Sequence, residues 1–341
     1  MEKRVDFSEI QATLKQVLLH HQFTDEKAAL SAYLFAKASL DGVPSHGLNR
    51  FLDYLRYVDL GWIIPTADPE VVAKFGSFER WNGHSGPGNL NAHAAMDAAI
   101  SMAKSTGFGV VALQHTNHWM RAGNYGWQAV EAGCIGICFT NTKPNMPGWG
   151  GSEPKLGNNP LVVAIPRQNG PIVLDMAMSQ FAYGKMAIHA KAGKEMPYDA
   201  GFDEAGNLSR SPSAIIEKEM ALPIGLWKGA GLSLVLDMLA MVLSGGDATH
   251  EVGTHEGERG LSQVFLALDP KGFGLEEWME ERLDKVIQDL KKSGVFQEGD
   301  SLRYPGEQTL NTRDYNTRNG VPVDEDIWRD IKKYLHEENQ G

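Results

Sequence analysis

Four short β-rich runs limit this chain most strongly: Gly107–Leu113, Gly136–Thr140, Leu161–Ile165 and Ile172–Met176. Gly, Asn and Pro bound them, as expected of strands. Helical stretches interrupt them at about 88–105, 121–132 and 229–244, without a regular strand–helix alternation. A doubly wound parallel sheet needs that alternation, so the pattern predicts an α+β fold with a mixed, mostly antiparallel sheet.

The first 75 residues read instead as helices. Phe7, Ile10, Leu14, Val17 and Leu18 recur at three- and four-residue steps, which places them on one helical face. Thr24 and Asp25 cap a second helix that runs to Leu40, and Asp41-Gly42-Val43-Pro44 breaks it. Ser45 is expected to cap a third, with Leu48, Phe51, Leu52 and Leu55 as its apolar stripe. Residues 190–222 are rich in Gly, Pro and charge, and read as a small excursion rather than core. The last 65 residues return to helix, with Glu276, Glu277, Glu280 and Glu281 at one end of a helix and Lys285, Lys291 and Lys292 at the other. That order complements the helix dipole.

Composition excludes several classes of function. The 32 basic and 43 acidic residues leave a net charge of −11, which disfavours nucleic acid or an anionic membrane as partner. Cys134 and Cys138 are too few for a disulfide framework and lack a second pair for zinc, so they are expected as buried, reduced core thiols. No apolar stretch follows the N-terminal Met-Glu-Lys-Arg-Val-Asp, and the longest apolar segment, Leu232–Leu243, is broken by Ser233 and Asp237. A soluble cytoplasmic protein is the expectation. There is no P-loop, no complete G-x-G-x-x-G after a strand and no G-x-S-x-G elbow. His250 and His255 are spaced five apart, which does not suit a zinc-protease helix, so a solvated loop and no metal are expected there.

Four stretches could carry chemistry. In Ser45-His46-Gly47-Leu48-Asn49-Arg50, His46 would lie in the first turn of the third helix, with Arg50 one turn on. Arg can grip a carboxylate bidentately while His exchanges a proton with the adjacent carbonyl oxygen of a 2-oxo acid. A helix N-terminus would lower the histidine pKa and a bound carboxylate would raise it. In Gln114–Arg121, His118 and its polar neighbours follow a strand and read either as a structural cluster or as contacts to a polyhydroxy substrate. Asp175, inside an apolar strand, needs a partner, either a structural hydrogen bond or a cofactor. Lys228, beside Gly229 at a helix start, is either a phosphate contact or a surface lysine. Ser233 and Asp237 read as polar groups packing one helix on another.

Together these stretches resemble the malate/L-lactate dehydrogenase type 2 oxidoreductases. The likeness runs from Phe7 to about Trp328. It is most specific in Ser45–Phe51, in Asn117–Arg121 with Tyr125–Gln128, in Gly157–Leu161 and in Trp227-Lys228-Gly229. Within the family it points to reductases of 2-oxo sugar acids, with the 2-hydroxy acid dehydrogenases as the alternative. The resemblance implies NADH as reductant (with NADPH possible) and a small 2-oxo sugar acid as substrate. It implies a homodimer and a non-Rossmann cofactor site. It places the proton donor at His46, and the cofactor at Pro171, Ile172, Val173, Leu174, Asp175, Met176 and Ala177, at Trp227 and Lys228, and at Gly306, Glu307 and Gln308. Ser45, Arg50 and His118 are substrate contacts on chemical grounds. The implied division is a helical domain from 1–75 and 273–341, a cofactor-binding domain from 76–189 and 223–272, and a small subdomain at 190–222. Two departures stand out. Gly306-Glu307-Gln308 replaces a Gly-His-Glu of the sugar-acid reductases, which leaves NADH against NADPH open. The loop Lys143–Gly151 carries Pro144, Asn145 and Gly148 in place of more apolar residues, which leaves the exact sugar acid open.

Overall fold

A computed structural model describes residues 3–297 and 300–335. In chain order, α1 (Phe7–His20), α2 (Asp25–Leu40) and α3 (Leu48–Asp59) come first. Then follow β1 (Glu70–Phe75), β2 (Phe78–Asn82), α4 (Gly88–Thr106), β3 (Phe108–Asn117), α5 (Gly123–Glu131), β4 (Ile135–Thr140), β5 (Leu161–Ile165) and β6 (Ile172–Met176). The chain ends with α6 (Tyr183–Lys191), α7 (Pro212–Lys218), α8 (Trp227–Ser244), β7 (Arg259–Leu268), α9 (Glu276–Lys291), α10 (Glu307–Asn319) and α11 (Glu325–Lys333).

The main sheet has seven strands in the order β1-β2-β3-β7-β4-β5-β6. Only β2 and β3 run parallel, joined by the crossover helix α4; the other pairs are antiparallel. The expected mixed, mostly antiparallel α+β sheet is present. Strand alternation sends side chains to opposite layers. Val111, Leu113 and Phe265 face α4 and α5, while Ala112 and Val264 face α8. On the first side, the alanines of α4 let the helix lie close: a Cβ on Gly109 would come within 2.2 Å of the Ala99 carbonyl oxygen.

A separate apolar core joins α1, α2 and α3, built on Phe35, Phe51 and Tyr54. Val321, Val323, Trp328 and Ile331 from the far end of the chain complete it. The termini are also paired as strands, with Arg4 opposite Pro322 and Val5 opposite Val321. Residues 1, 2, 298, 299 and 336–341, assigned above to a helical domain, lie outside the described residues. Cys134 and Cys138 are free and fully buried, as expected, and burial pushes both thiols up.

Several expectations are corrected. Glu70–Phe75 is an exposed edge strand rather than helix, because Val71, Val72 and Phe75 favour extended backbone and Gly76 turns it into β2. The central strand β7 lies outside the four β-rich runs of the sequence. The excursion at 190–222 does contribute core: Met196, Ala200, Ile215 and Ala221 are buried against α8 and the sheet. Helix α8 is 18 residues long, and by length and composition alone could cross a membrane, although its apolar run is broken. Of its two polar residues, Ser233 meets a loop rather than another helix, its Oγ donating to the Gly157 carbonyl (2.7 Å). Asp237 does join α8 to a helical turn: it accepts the N–H of Thr249 (2.8 Å), and also accepts from Asn141 Nδ2 (3.0 Å). Thr249–Val252 is one helical turn rather than open loop, with Glu251 accepting the Ala248 N–H at 2.9 Å. His255 meets Asp247 at 3.1 Å. Among the described residues, no group of three or more His, Cys, Asp and Glu side chains is placed to hold a metal.

Candidate active site

The local structure around His46 differs from the expected helix cap. Pro44–His46 forms a 3-10 turn, and α3 starts only at Leu48, with Gly47 at its N-cap. Gly47 is required by space: a Cβ there would lie 2.2 Å from Ser39 Oγ. Ser39 Oγ instead accepts the Leu48 N–H at 2.9 Å, so the helix is capped from α2 rather than by Ser45. Ser45 is left free to meet His46 Nδ1 at 3.1 Å. His46 therefore sits before the helix, and Arg50 lies in its first turn.

A cleft of ≈ 580 Å³ collects Ser45, His46, Arg50, His118, Asp175 and Ala177 among its lining residues. The two imidazoles stack, with centroids 5.8 Å apart and planes 21° apart. The Met120 N–H donates to His118 Nδ1 at 2.9 Å. That bond fixes the neutral tautomer with its proton on Nε2, which faces Glu258 Oε2 at 3.9 Å. Met120 takes a left-handed φ of 63° to make it.

Burial lowers His46 to about 4, helped by His118 and Arg50 and opposed by Asp175 and Glu258. His118 is lowered in the same way by burial and then by Arg50. Both rings are therefore neutral at pH 7. His46 precedes α3, so burial rather than a helix N-terminus does the lowering, and an anion bound beside Arg50 would push His46 back up.

The other predicted residues lie on a strip beside the cleft. β6 is the outer strand of the sheet and exposes Leu174 and Asp175. Asp175 Oδ2 accepts the Gly123 N–H (2.9 Å) at the start of α5, which meets the structural alternative, and its carboxyl also lines the cleft. The Val173 N–H donates to the Pro305 carbonyl at 2.9 Å, which brings Gly306 against Pro171 and Val173. The Ile224 N–H donates to the Met178 carbonyl at 2.8 Å, which ties the start of α8 to the end of the same strand. Trp227 and Lys228 are exposed there, and Lys228 has no ion-pair partner among the described residues. Glu307 is held by Lys291 and accepts the Tyr304 N–H at 3.3 Å; Gln308 donates to Thr312 Oγ1 at 3.1 Å. Trp227, Lys228 and residues 306–308 do not line the cleft itself.

The cleft wall also holds Lys143 and Asn145, from the loop that departs from the sugar-acid reductases, together with Glu219 and Glu258, which sequence reasoning missed. Neither glutamate falls in a motif of the sequence. Arg121 was seen only as part of a cluster. It is 3% exposed and ion-paired to Asp41, which Arg313 also grips at 2.6 and 2.8 Å. Burial alone would raise Asp41, but the two guanidiniums outweigh it and hold the carboxyl below its usual range. Arg121 Nε has no partner among the described residues.

The model of the malate/L-lactate dehydrogenase family matches residues 5–332. The 2,3-diketo-L-gulonate reductase of Citrobacter koseri is 41% identical over 331 residues, covering 96% of this chain and 99% of that protein. The enzyme of the same name from Haemophilus influenzae is also 41% identical, with the same coverage. Among solved structures, malate dehydrogenase from Entamoeba histolytica superimposes with a TM-score of 0.94 at 25% identity, covering 100% of this chain and 99% of that one. Sulfolactate dehydrogenase from Methanocaldococcus jannaschii gives 0.89 at 29% identity, with 98% and 97% covered. With the family pattern spanning nearly its whole length, this oxidoreductase belongs to the malate/L-lactate dehydrogenase family.

Proposed function

We propose that the chain reduces a 2-oxo sugar acid with NADH in the cytoplasm, with 2,3-diketo-L-gulonate as the first candidate and 3-dehydro-L-gulonate as product. One observation carries the reading: a stacked histidine pair stands beside Arg50 in a cleft that adjoins the strip along β6. Arg50 would hold the substrate carboxylate, with Ser45 orienting His46 and the His118 Nε2–H donating to the substrate. His46 would give a proton to the carbonyl oxygen as the carbonyl carbon gains a hydride, so the C=O becomes CH–OH. The bound reduced nicotinamide supplies that hydride.

The strip suits such a group. Pro171–Ala177 span the edge strand β6, whose outer side meets Pro305 at Val173 and is exposed at Leu174 and Asp175. Gly306 approaches that strand closely, Glu307 and Gln308 follow it, and Trp227 offers an exposed aromatic face. Lys228 offers an unpaired cation in the first turn of an 18-residue helix, which favours phosphate. The same free cation accommodates NADPH as the alternative. The outward face of α8 exposes Val235, Met238 and Val242 at 50%, 52% and 67%, which suits burial against a second copy in a homodimer.

A second reading, a malate-, L-lactate- or ureidoglycolate-type 2-hydroxy acid dehydrogenase, is supported by the solved neighbours named malate and sulfolactate dehydrogenase. The test is absorbance at the nicotinamide band with 2,3-diketo-L-gulonate, oxaloacetate and pyruvate, each with NADH and NADPH. Highest kcat/KM for the sugar acid with NADH is expected. Preference for oxaloacetate or pyruvate would overturn the substrate, and no turnover with any would overturn the reductase reading.

A further inference from the structure

The cleft wall formed by the Lys143 loop and the end of α7 bears a second set of polar groups. Lys143 and Glu219 form an ion pair there, with side chains 44% and 39% exposed. Lys143 follows β4, and Glu219 ends α7 with a left-handed φ of 54°. Neighbouring bonds brace the Glu219 backbone. The Ala221 N–H donates to the Asn145 carbonyl at 3.4 Å, and Tyr183 Oη donates to the same oxygen at 2.5 Å. Glu258 links this wall to the histidines: one carboxyl oxygen faces His118 Nε2 at 3.9 Å, and the other accepts the Lys143 N–H at 3.4 Å.

Asn145 supplies the decisive detail. It is 7% exposed and its Nδ2 donates to Asn158 Oδ1 at 3.1 Å, which fixes the amide orientation. Its Oδ1 is buried without a partner among the described residues. An orphaned buried acceptor is costly unless a ligand supplies a donor. Glu219 has a second carboxylate oxygen that Lys143 does not use. The wall thus offers acceptors from two residues, and its one cation is already neutralised.

Resting on the reductase reading, we propose that Lys143, Asn145 and Glu219 form a subsite for the hydroxylated tail of the substrate and select against a second carboxylate. A hydroxyl can donate to Asn145 Oδ1 or to Glu219 and accept from Lys143. A carboxylate cannot donate to either acceptor and meets the negative charge of Glu219, so a dicarboxylate is disfavoured. An apolar tail would leave the orphaned acceptor unpaired.

The test compares kcat/KM for 2,3-diketo-L-gulonate and oxaloacetate in the full chain and in Glu219→Gln and Lys143→Met. In Glu219→Gln the ratio of sugar acid to oxaloacetate falls at least about tenfold, mainly through a lower KM for oxaloacetate. In Lys143→Met, which leaves Glu219 unneutralised, the ratio rises because oxaloacetate loses more. Equal changes for both substrates, or an unchanged ratio, would overturn the subsite while leaving the reductase reading intact. A wild-type chain inactive on both would instead refute the reductase reading and the subsite with it.

Discussion

The two sides of the proposed active centre are built differently. The histidine side brings His46 and His118 from distant parts of the chain into one buried cleft, and acts through side chains whose ionisation the fold has shifted. The strip along β6 is held by main-chain bonds from Val173 to Pro305 and from Ile224 to Met178, and presents mostly backbone and exposed residues. In the proposed reaction the first side would transfer the proton and the second would dock an extended ligand. Mutations on the first should change turnover or substrate affinity, and mutations on the second should change nicotinamide affinity.

The sharpest test of that contrast is His46→Ala. It should cost about 10²–10⁴-fold in kcat for reduction, the usual worth of a general acid, while the KM for reduced nicotinamide stays near the wild-type value. Retained turnover would remove His46 from the proton-donor role. Arg50→Met should raise the substrate KM by roughly 10–100-fold, the loss expected for a charge-assisted bidentate contact, read from initial rates.

The pH profile tests the lowered His46 directly. In the proposed reaction reduction needs the protonated ring, and burial lowers it to about 4. Between pH 5 and 8, kcat/KM for the 2-oxo acid should therefore fall about tenfold per unit as pH rises. Oxidation of the product needs the neutral ring and should stay flat over that window. A flat reduction limb would mean that His46 is not the titrating donor.

The smallest kinetic effect is expected on the strip. Lys228→Ala should raise the nicotinamide KM about three- to tenfold, as for one partly solvated phosphate contact, with little change in substrate KM. A change in substrate KM of the same size would erase the proposed division between the two sides.

Stability should show the same asymmetry. The folded-state pKa of His118 is lowered, so the unfolded chain binds more protons below the ordinary histidine value of about 6.5. Its contribution is complete above that pH and is lost as pH falls toward the lowered value. Tm should thus drop from pH 7 to pH 5, and less in His118→Asn.

Periodicity made the N-terminal helices readable because each buries one face. It failed for Glu70–Phe75, where every residue of an edge strand is exposed and no alternation is left to detect. It failed for β7 for the opposite reason: Leu261, Ser262, Gln263, Val264 and Phe265 are all buried between two sheet neighbours and two layers, so polar and apolar positions do not alternate. Residue chemistry pointed to His46, Arg50 and His118, and the fold does bring them into one cleft. The Lys143 loop was marked only by its departure from the sugar-acid reductases, and Glu219 gave no signal, because a turn-forming glutamate acquires meaning only once α7 is laid against that loop.

The Asp41 cluster also bears on the order of assembly. Asp41 and Arg121 leave the ribosome early, but Arg313, the second cation on that carboxylate, follows Asp41 by 272 residues. Val321 and Trp328, which complete the first helical core, emerge later still. Closing so long a loop delays the contact rather than weakening it. A nascent chain thus carries its histidines and the strands of its sheet well before the cleft wall is locked. A truncation that removes only α10 and α11 would take away the last fastening on Asp41 while touching none of His46, Arg50 or His118.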